Sequence, residues 1–350
     1  MLAFICAARP VLAASVHRAT AAIARMPHSD SLCLVVLSLP LLLASQSCPG
    51  HTNLLPSIQQ QQVDHNVDCH PEPGAFQQKC EERGCVWSPV EEPGAPWCVY
   101  PPGYGYLLLG EPLVTEQGWL LKLARSNHPG MFGGESGEVW LAVEMQTEER
   151  LRIRISDDKP RFEVPISIPG GPQKPTSPLY EVTFTQSPTL GVKVTRVATG
   201  ELVLDTGLPG LVFSDQFLQL PLLLPPGSVL SGWGENEQDT LLLNMTYHTW
   251  PLYARDQPPD GKANMYGVHP RLTILDKNGD AAGLLFLNSA AQEVSLTPAP
   301  GLVYRTIGGL LDLYIFLGPG PEQVVEQYTA AVGRAPLPPY WALGFHLCRY

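Results

Sequence analysis

Charged side chains make up only 16% of the 350 residues, and nowhere are Lys and Arg dense enough to meet a phosphate backbone. With a formal net charge of -11, this argues against nucleic acid as a partner. Catalytic signatures are scarce as well: there is no HExxH, no GxSxG, no phosphate-binding loop and no dinucleotide fingerprint. The cysteines lack the close CxxC pairs of a zinc ribbon, so no metal is expected, and nothing in the sequence calls for a cofactor. A membrane-spanning helix needs about 20 apolar residues. The apolar stretch Leu32–Ala44 is shorter than that and carries Pro40, so no stable transmembrane anchor is expected.

Turn residues are abundant, with 36 Pro and 32 Gly, the composition of a turn-rich β protein. From Gly137 to Leu317 short runs alternate apolar and polar with a period of two, among them EVWLAVEMQT, RLRIRIS, LYEVTFT, LGVKVTRV, LLFLNS and DLYIFLG. In RLRIRIS, Leu151, Ile153 and Ile155 face one way and Arg150, Arg152 and Arg154 the other, as in a strand with one wet face. So many strands without intervening helices indicate a large antiparallel β-sandwich. One helix is expected, Pro321–Val332, with Val324, Val325, Tyr328 and Val332 on one stripe and Gly333 as its stop. The closing run PPYWALGFHLCRY, Pro338–Tyr350, reads as a buried strand entered through two prolines.

At the other end, Met1–Met26 carries three arginines and no acid, which superficially matches a mitochondrial presequence. Leu32–Ala44 competes as the h-region of a secretory signal starting at Met26, with small residues after it, and export is the favoured reading. The expected address is the secretory pathway, lysosomal or secreted, which the acidity of the chain also suits. Residues 1–47 are thus a targeting segment, and the glutamine-rich stretch 48–66 a linker too polar to offset its chain entropy.

Four cysteines, Cys69, Cys80, Cys85 and Cys98, then fall close together, a density that in an exported chain means disulfides. Farther on, the stretch from Thr249 to Pro270, TWPLYARDQPPDGKANMYGVHP, joins Trp250 and Tyr253 to adjacent Arg255 and Asp256, which suits an excursion from a sheet toward a ligand. A carboxylate accepts bonds from sugar hydroxyls and an aromatic face covers a sugar ring. A local ion pair in a turn is the competing explanation of the same residues. Asn244, in NMT, is a glycosylation sequon.

The cysteine-rich segment, ending in PWCVYPP, resembles a trefoil (P-type) domain, although Val86 stands where the pattern has a cysteine and the run before Cys69 is glutamine. Both partners of one bridge are missing together. The resemblance implies two surviving disulfides, Cys69 to Cys85 and Cys80 to Cys98. Together with SDQFLQL, SGWGENE, WPLYARD, NMYGVHP, LLFLNS, GGLLDLYIFLGP and the closing PPYWALGFHLCRY, it gives a series that resembles glycoside hydrolase family 31. That resemblance implies a mainly β chain: a trefoil module over residues 67–103, a galactose mutarotase-like antiparallel β-sandwich over 104–318, a helix and linker over 319–337, and at 338–350 only the first strand of a (β/α)8 barrel. It implies retaining hydrolysis of α-1,4-linked glucose in glycogen or maltose-like oligosaccharides. The family's aspartate nucleophile lies in a WxDMNEP motif that these 350 residues do not contain, so they are expected to be the N-terminal portion of such an enzyme and inactive by themselves; the alternative is a non-catalytic secreted carbohydrate-binding protein or a degenerate paralogue. The implied partner is an α-glucan, and the resemblance makes Asp256 a substrate-binding residue, joined by Arg255 and Trp250 of the same loop; Ala254 stands where the family usually has Asn. His346 and Cys348 match structural positions of the barrel strand.

Overall fold

In the computed structural model of the protein the residues described are 66–258 and 264–347. The expected targeting segment, most of the linker and Cys348 lie outside them. Residues 62–334 form one compact unit, and 335–350 fall in another.

The first part of the large unit is the trefoil, with helix α1 (Gln77–Glu82) and the paired strands β1 (Val86–Trp87) and β2 (Cys98–Val99). So small a segment has little core of its own, and two disulfides, Cys69–Cys85 and Cys80–Cys98, hold it. The Sγ atoms of Cys69, Cys85 and Cys98 lie within 4.8 Å of one another, a spacing that would also suit a metal, but the sulfurs are engaged in these bridges. The trefoil shares a buried cluster with the sandwich, in which its cysteines, Val67 and Tyr100 meet Tyr104, Met131, Val212 and Val303.

Seventeen strands follow among the described residues. The first sheet contains β3 (Tyr106–Leu108), β4 (Leu113–Val114), β5 (Gly118–Arg125), β6 (Glu138–Met145) and β7 (Arg150–Ser156). The chain then crosses to the second sheet with β8 (Tyr180–Thr185), β9 (Gly191–Arg196), β10 (Leu202–Asp205), β11 (Val212–Phe213) and β12 (Leu218–Leu223). Thereafter it alternates: β13 (Val229–Asn236), β15 (Asn264–Leu275), β16 (Ala281–Phe286) and β19 (Leu311–Phe316) complete the nine-stranded first sheet. The eight-stranded second sheet gains β14 (His248–Leu252), β17 (Gln292–Thr297) and β18 (Gly301–Thr306). Every pairing is antiparallel, and the inner faces close over one large core running from Tyr106 to Leu317. The fold is therefore the mainly β, trefoil-plus-sandwich architecture expected.

Two details depart from the alternation rule. The arginines of β7 do not face open water: Arg150 is buried and Arg152 half-buried, because the irregular segment 162–169 crosses their face. Arg154 donates to Glu163 at 2.8 Å and Arg150 to the Pro169 carbonyl, pinning that segment over a cavity of about 130 Å³. Pro221 sits inside β12 although proline cannot donate to a ladder. There β12 pairs continuously with β18, whereas on its other edge β10 touches it only at Leu223 and β11 only at Leu218 and Gln219. Pro221 occupies the interruption.

The hairpin loop between β5 and β6 fastens the trefoil down. Pro129 lies against Gly84, whose φ of +73° and lack of a Cβ let the proline ring approach. Tyr100 donates its hydroxyl toward Met131 Sδ at 2.9 Å, Phe132 stands edge-on to Phe217, and the His128 ring stacks on Tyr104. Arg125 and Glu135 bracket the loop with a 3.3 Å ion pair, the Glu135 side chain being 1% exposed. Burial pushes the Glu135 carboxyl above the ordinary value, more than Arg125 lowers it. A raised folded pKa means stability that is complete below the unfolded value and fades as pH rises through the folded one. His128, lowered by burial, works in the opposite sense. Glu135→Gln should therefore flatten the decline of stability above the ordinary carboxylate range, as measured by urea midpoints across pH. An unchanged profile would show that Glu135 is not the titrating group.

Helix α2 (Pro321–Val332) closes the unit with the expected bounds, proline at its start and Gly333 as its stop. Its stripe is a little different: Val324, Tyr328 and Ala331 are buried, Val332 packs at the margin, and Val325 is 46% exposed. Val325 lies one residue, about 100°, past Val324 and so turns outward. Val324 reaches β16 at Gly283, where a Cβ would sit 2.6 Å from its Cγ1. Within the other unit, the expected buried strand at 338–350 is not what its described residues form. Tyr340–Leu343 make a 3-10 turn in which the Ala342 N–H bonds back to the Pro339 carbonyl at 2.9 Å. Tyr340, Trp341, Leu343, Phe345, His346 and Leu347 are exposed. The local turn takes up backbone groups that a strand would offer to neighbours, and no ladder partner for it occurs among the described residues.

Candidate functional site

Three of the motifs singled out in the sequence meet at one corner of the sandwich. SGWGENE ends β13, WPLYARD leaves β14, and NMYGVHP begins β15, so within 249–270 the residues up to Leu252 and from Asn264 onward are strand rather than excursion. β13 is an edge strand of the first sheet and β14 of the second. Pro251 is tolerated in β14 because an edge strand keeps one side of its backbone free of a ladder.

The corner is built on a buried tryptophan. Trp233 is fully buried against Phe286 and takes φ +60°, a left-handed conformation that non-glycine residues seldom hold. Gly232 before it admits no side chain, since a Cβ would lie 2.4 Å from the Arg271 carbonyl oxygen. The chain then delivers Glu235, whose Oε2 accepts from the Gly267 N–H at 2.8 Å, and Asn236, whose amide donates to the Pro251 carbonyl at 3.1 Å. Asn264, 1% exposed, donates to the Met265 carbonyl. These bonds lock β13, β14 and the start of β15 together.

On that base stand the exposed groups. The Arg255 N–H donates to the Met265 carbonyl at 2.8 Å, and the Tyr266 hydroxyl donates to Asp256 Oδ1 at 2.5 Å. The Arg255 guanidinium lies over the Tyr253 ring, 5.9 Å from its centroid. Asp256, Arg255, Tyr253, Tyr266 and Glu235 are all exposed, so the corner presents two carboxylates, one guanidinium and two phenol rings to solvent. Such a set can accept and donate hydrogen bonds to hydroxyls while offering ring faces to an apolar surface.

Of the site residues expected from sequence, Asp256 and Arg255 fall in this corner. Trp250 does not offer its face there: it is 8% exposed and belongs to the sandwich core, like Leu252 two residues on. Tyr253 and Tyr266 supply the aromatic surface instead. Tyr266 and Glu235 join this corner without having been expected there, since nothing local to either marks a contact with a distant loop. Asn244 lies exposed on the loop before β14, its side chain accepting from the Thr246 N–H at 2.9 Å. In the trefoil, Tyr100 is buried and Trp97 is 47% exposed, edge-on to Trp87. No described helix is long and apolar enough to cross a membrane.

Comparison with known proteins bears on these observations. The sequence profile of the Trefoil (P-type) domain matches residues 59–101. In fold the chain resembles a GH31 dextranase from Flavobacterium johnsoniae complexed with isomaltotriose, with a TM-score of 0.52 at 16% identity over 69% of this chain and 30% of that one. That is a likeness of fold. Over its trefoil and sandwich, the chain is homologous to the N-terminal portion of glycoside hydrolase family 31 proteins. In particular it is 42% identical over 290 residues to the lysosomal alpha-glucosidase of Mus musculus, covering 81% of this chain and 30% of that protein. It is 36% identical over 312 residues to the intestinal sucrase-isomaltase of Oryctolagus cuniculus, covering 87% of this chain and 16% of the relative. The chain thus spans less than a third of these relatives.

Proposed function

We propose that this chain is the substrate-facing N-terminal part of a retaining α-glucosidase acting on α-1,4-linked glucose in glycogen or maltose-like oligosaccharides, and that Asp256 contacts the sugar. The observation that carries the reading is the 42% identity to a lysosomal alpha-glucosidase through the segment containing the Asp256 corner. The exposed carboxylate with neighbouring phenol rings supports it chemically. The same reading makes the protein exported, lysosomal or secreted, and Asn244 a glycan acceptor, which a mass measurement before and after N-glycosidase treatment checks.

The 350 residues alone should bind maltotriose without hydrolysing it. Asp256→Ala should weaken that binding by roughly tenfold or more, the loss of a hydrogen bond to a charged group being worth about 1.5–3 kcal/mol. Calorimetric titration with maltotriose, run beside a glucose-release assay, tests both statements. Undiminished affinity in Asp256→Ala would remove Asp256 from the site. Glucose release by the purified chain would refute the division between binding and cleavage. A chain that binds maltotriose at its trefoil rather than at the corner would keep its affinity in the variant, so the two sites are separable.

A further inference from the structure

The Asp256 loop is held by two successive rungs. The first is backbone to backbone, Arg255 N–H to the Met265 carbonyl; the second is side chain to side chain, Tyr266 hydroxyl to Asp256 Oδ1. An exposed pair of this kind adds little to folding stability, because water competes for both groups and two side chains are immobilised. Yet the structure supports it from behind. Glu235 holds the Gly267 N–H, and a Cβ on Gly267 would meet the Glu235 Cδ at 2.8 Å, so glycine is what allows that carboxylate to close on the strand next to Tyr266. Glu235 is itself delivered by the left-handed turn at the buried Trp233.

We infer that Tyr266 is the positioning residue of the sugar site, fixing the plane of the Asp256 carboxylate so that Oδ2 meets a sugar hydroxyl, and that Glu235 positions Tyr266 in turn. This rests on the reading of Asp256 as a sugar contact. It also defines the ligand class. With Oδ1 engaged by the phenol, the carboxylate can accept from a pair of neighbouring hydroxyls without first being ordered, which reduces the entropy lost on binding. Among the described residues the corner carries two carboxylates, Asp256 and Glu235, against one guanidinium, Arg255, a balance that disfavours phosphorylated or acidic sugars. The site therefore takes a neutral hexose end.

The test uses the whole chain and two readouts, one independent of sugar. Three-bond couplings at the Asp256 Cβ should report one side-chain rotamer in the wild type and an average of several in Tyr266→Phe. Maltotriose affinity should fall roughly fivefold to tenfold in Tyr266→Phe, as expected for one hydrogen bond of about 1–1.5 kcal/mol. The same change in an Asp256→Ala background should have no effect, and the thermal midpoint should not move. Glucose 6-phosphate should bind more weakly than glucose. If Asp256 keeps a single rotamer in Tyr266→Phe, the inference is overturned whatever the sugar does. If the rotamer is lost but the wild type binds no maltotriose, the positioning stands and the sugar reading of Asp256 falls. An additive loss in the double variant would give Tyr266 its own sugar contact and overturn its role as a positioning residue.

Discussion

Replacing Cys80 by serine should unfold the trefoil and leave the sandwich folded but newly exposed along one flank. The expected cost is about 2–5 kcal/mol, the usual loss on removing a native disulfide from a small exported domain. The sequence separation of Cys80 and Cys98 is 18 residues, long enough for the bridge to restrict the unfolded chain substantially. Both cysteines are buried to 1% exposure or less, so the variant also places a hydroxyl and an unpaired thiol where sulfur had packed. With only one other bridge and a helix of six residues, the segment has little else to hold it. The damage should reach the sandwich, because Val212 and Val303 are buried partly by trefoil residues. Limited proteolysis should cut between residues 67 and 103 at protease concentrations that leave the wild type intact, while the circular dichroism of the sheets persists. A variant as resistant as the wild type would mean that the shared core, rather than the bridges, holds the trefoil.

How much of this was legible in the sequence depends on the range of the interaction. Period-two runs such as RLRIRIS revealed their inner face because a half-buried strand alternates by geometry, and Leu151, Ile153 and Ile155 are indeed buried. β16, β18 and β19 are buried at every position, Arg305 and Asp312 included, so the period-two reading of LLFLNS and DLYIFLG could not separate an inner from an outer face. Trp250 could have been read as core: it and Leu252 are spaced by two on one strand, and both point inward. An aromatic beside Arg255 and Asp256 is equally what a sugar site calls for, so the sequence supports both roles at this position. The corner itself was out of reach, since the bonds that build it join Asp256 to a residue ten positions away and Gly267 to one thirty-two positions away. Turn chemistry and periodicity act over a few residues, whereas the meeting of β13, β14 and β15 is a property of the closed sandwich.

The same distinction governs the charged pair beneath the segment that crosses β7. Arg152 presents its Nε and NH2 groups to the two oxygens of Asp312, each at 2.8 Å, across neighbouring strands, and a third contact reaches Glu144 at 3.3 Å. The guanidinium also lies over the Tyr314 ring, 5.1 Å from its centroid. Burial works against the charge of Arg152, but the bonds to Asp312 hold its pKa above the ordinary arginine value, so the cation persists at any working pH. Asp312→Ala should therefore leave a charge without its main partner in a site where Asp312 was 5% exposed, at a cost of about 3–5 kcal/mol. Replacing both, with Arg152→Met and Asp312→Leu, should cost far less, because apolar groups of similar size need no partner. With Asp312→Ala measured beside them, urea denaturation of the wild type, Arg152→Met, Asp312→Leu and the double variant closes a double-mutant cycle and gives the coupling directly. It should change little between low and high salt, unlike the exposed pair of Lys122 and Glu138, which counterions can screen. If Asp312→Ala proved milder than the double replacement, water would have to reach Arg152 through the cavity under residues 162–168, and the crossing segment would be a loose cover over the charge rather than a seal on it.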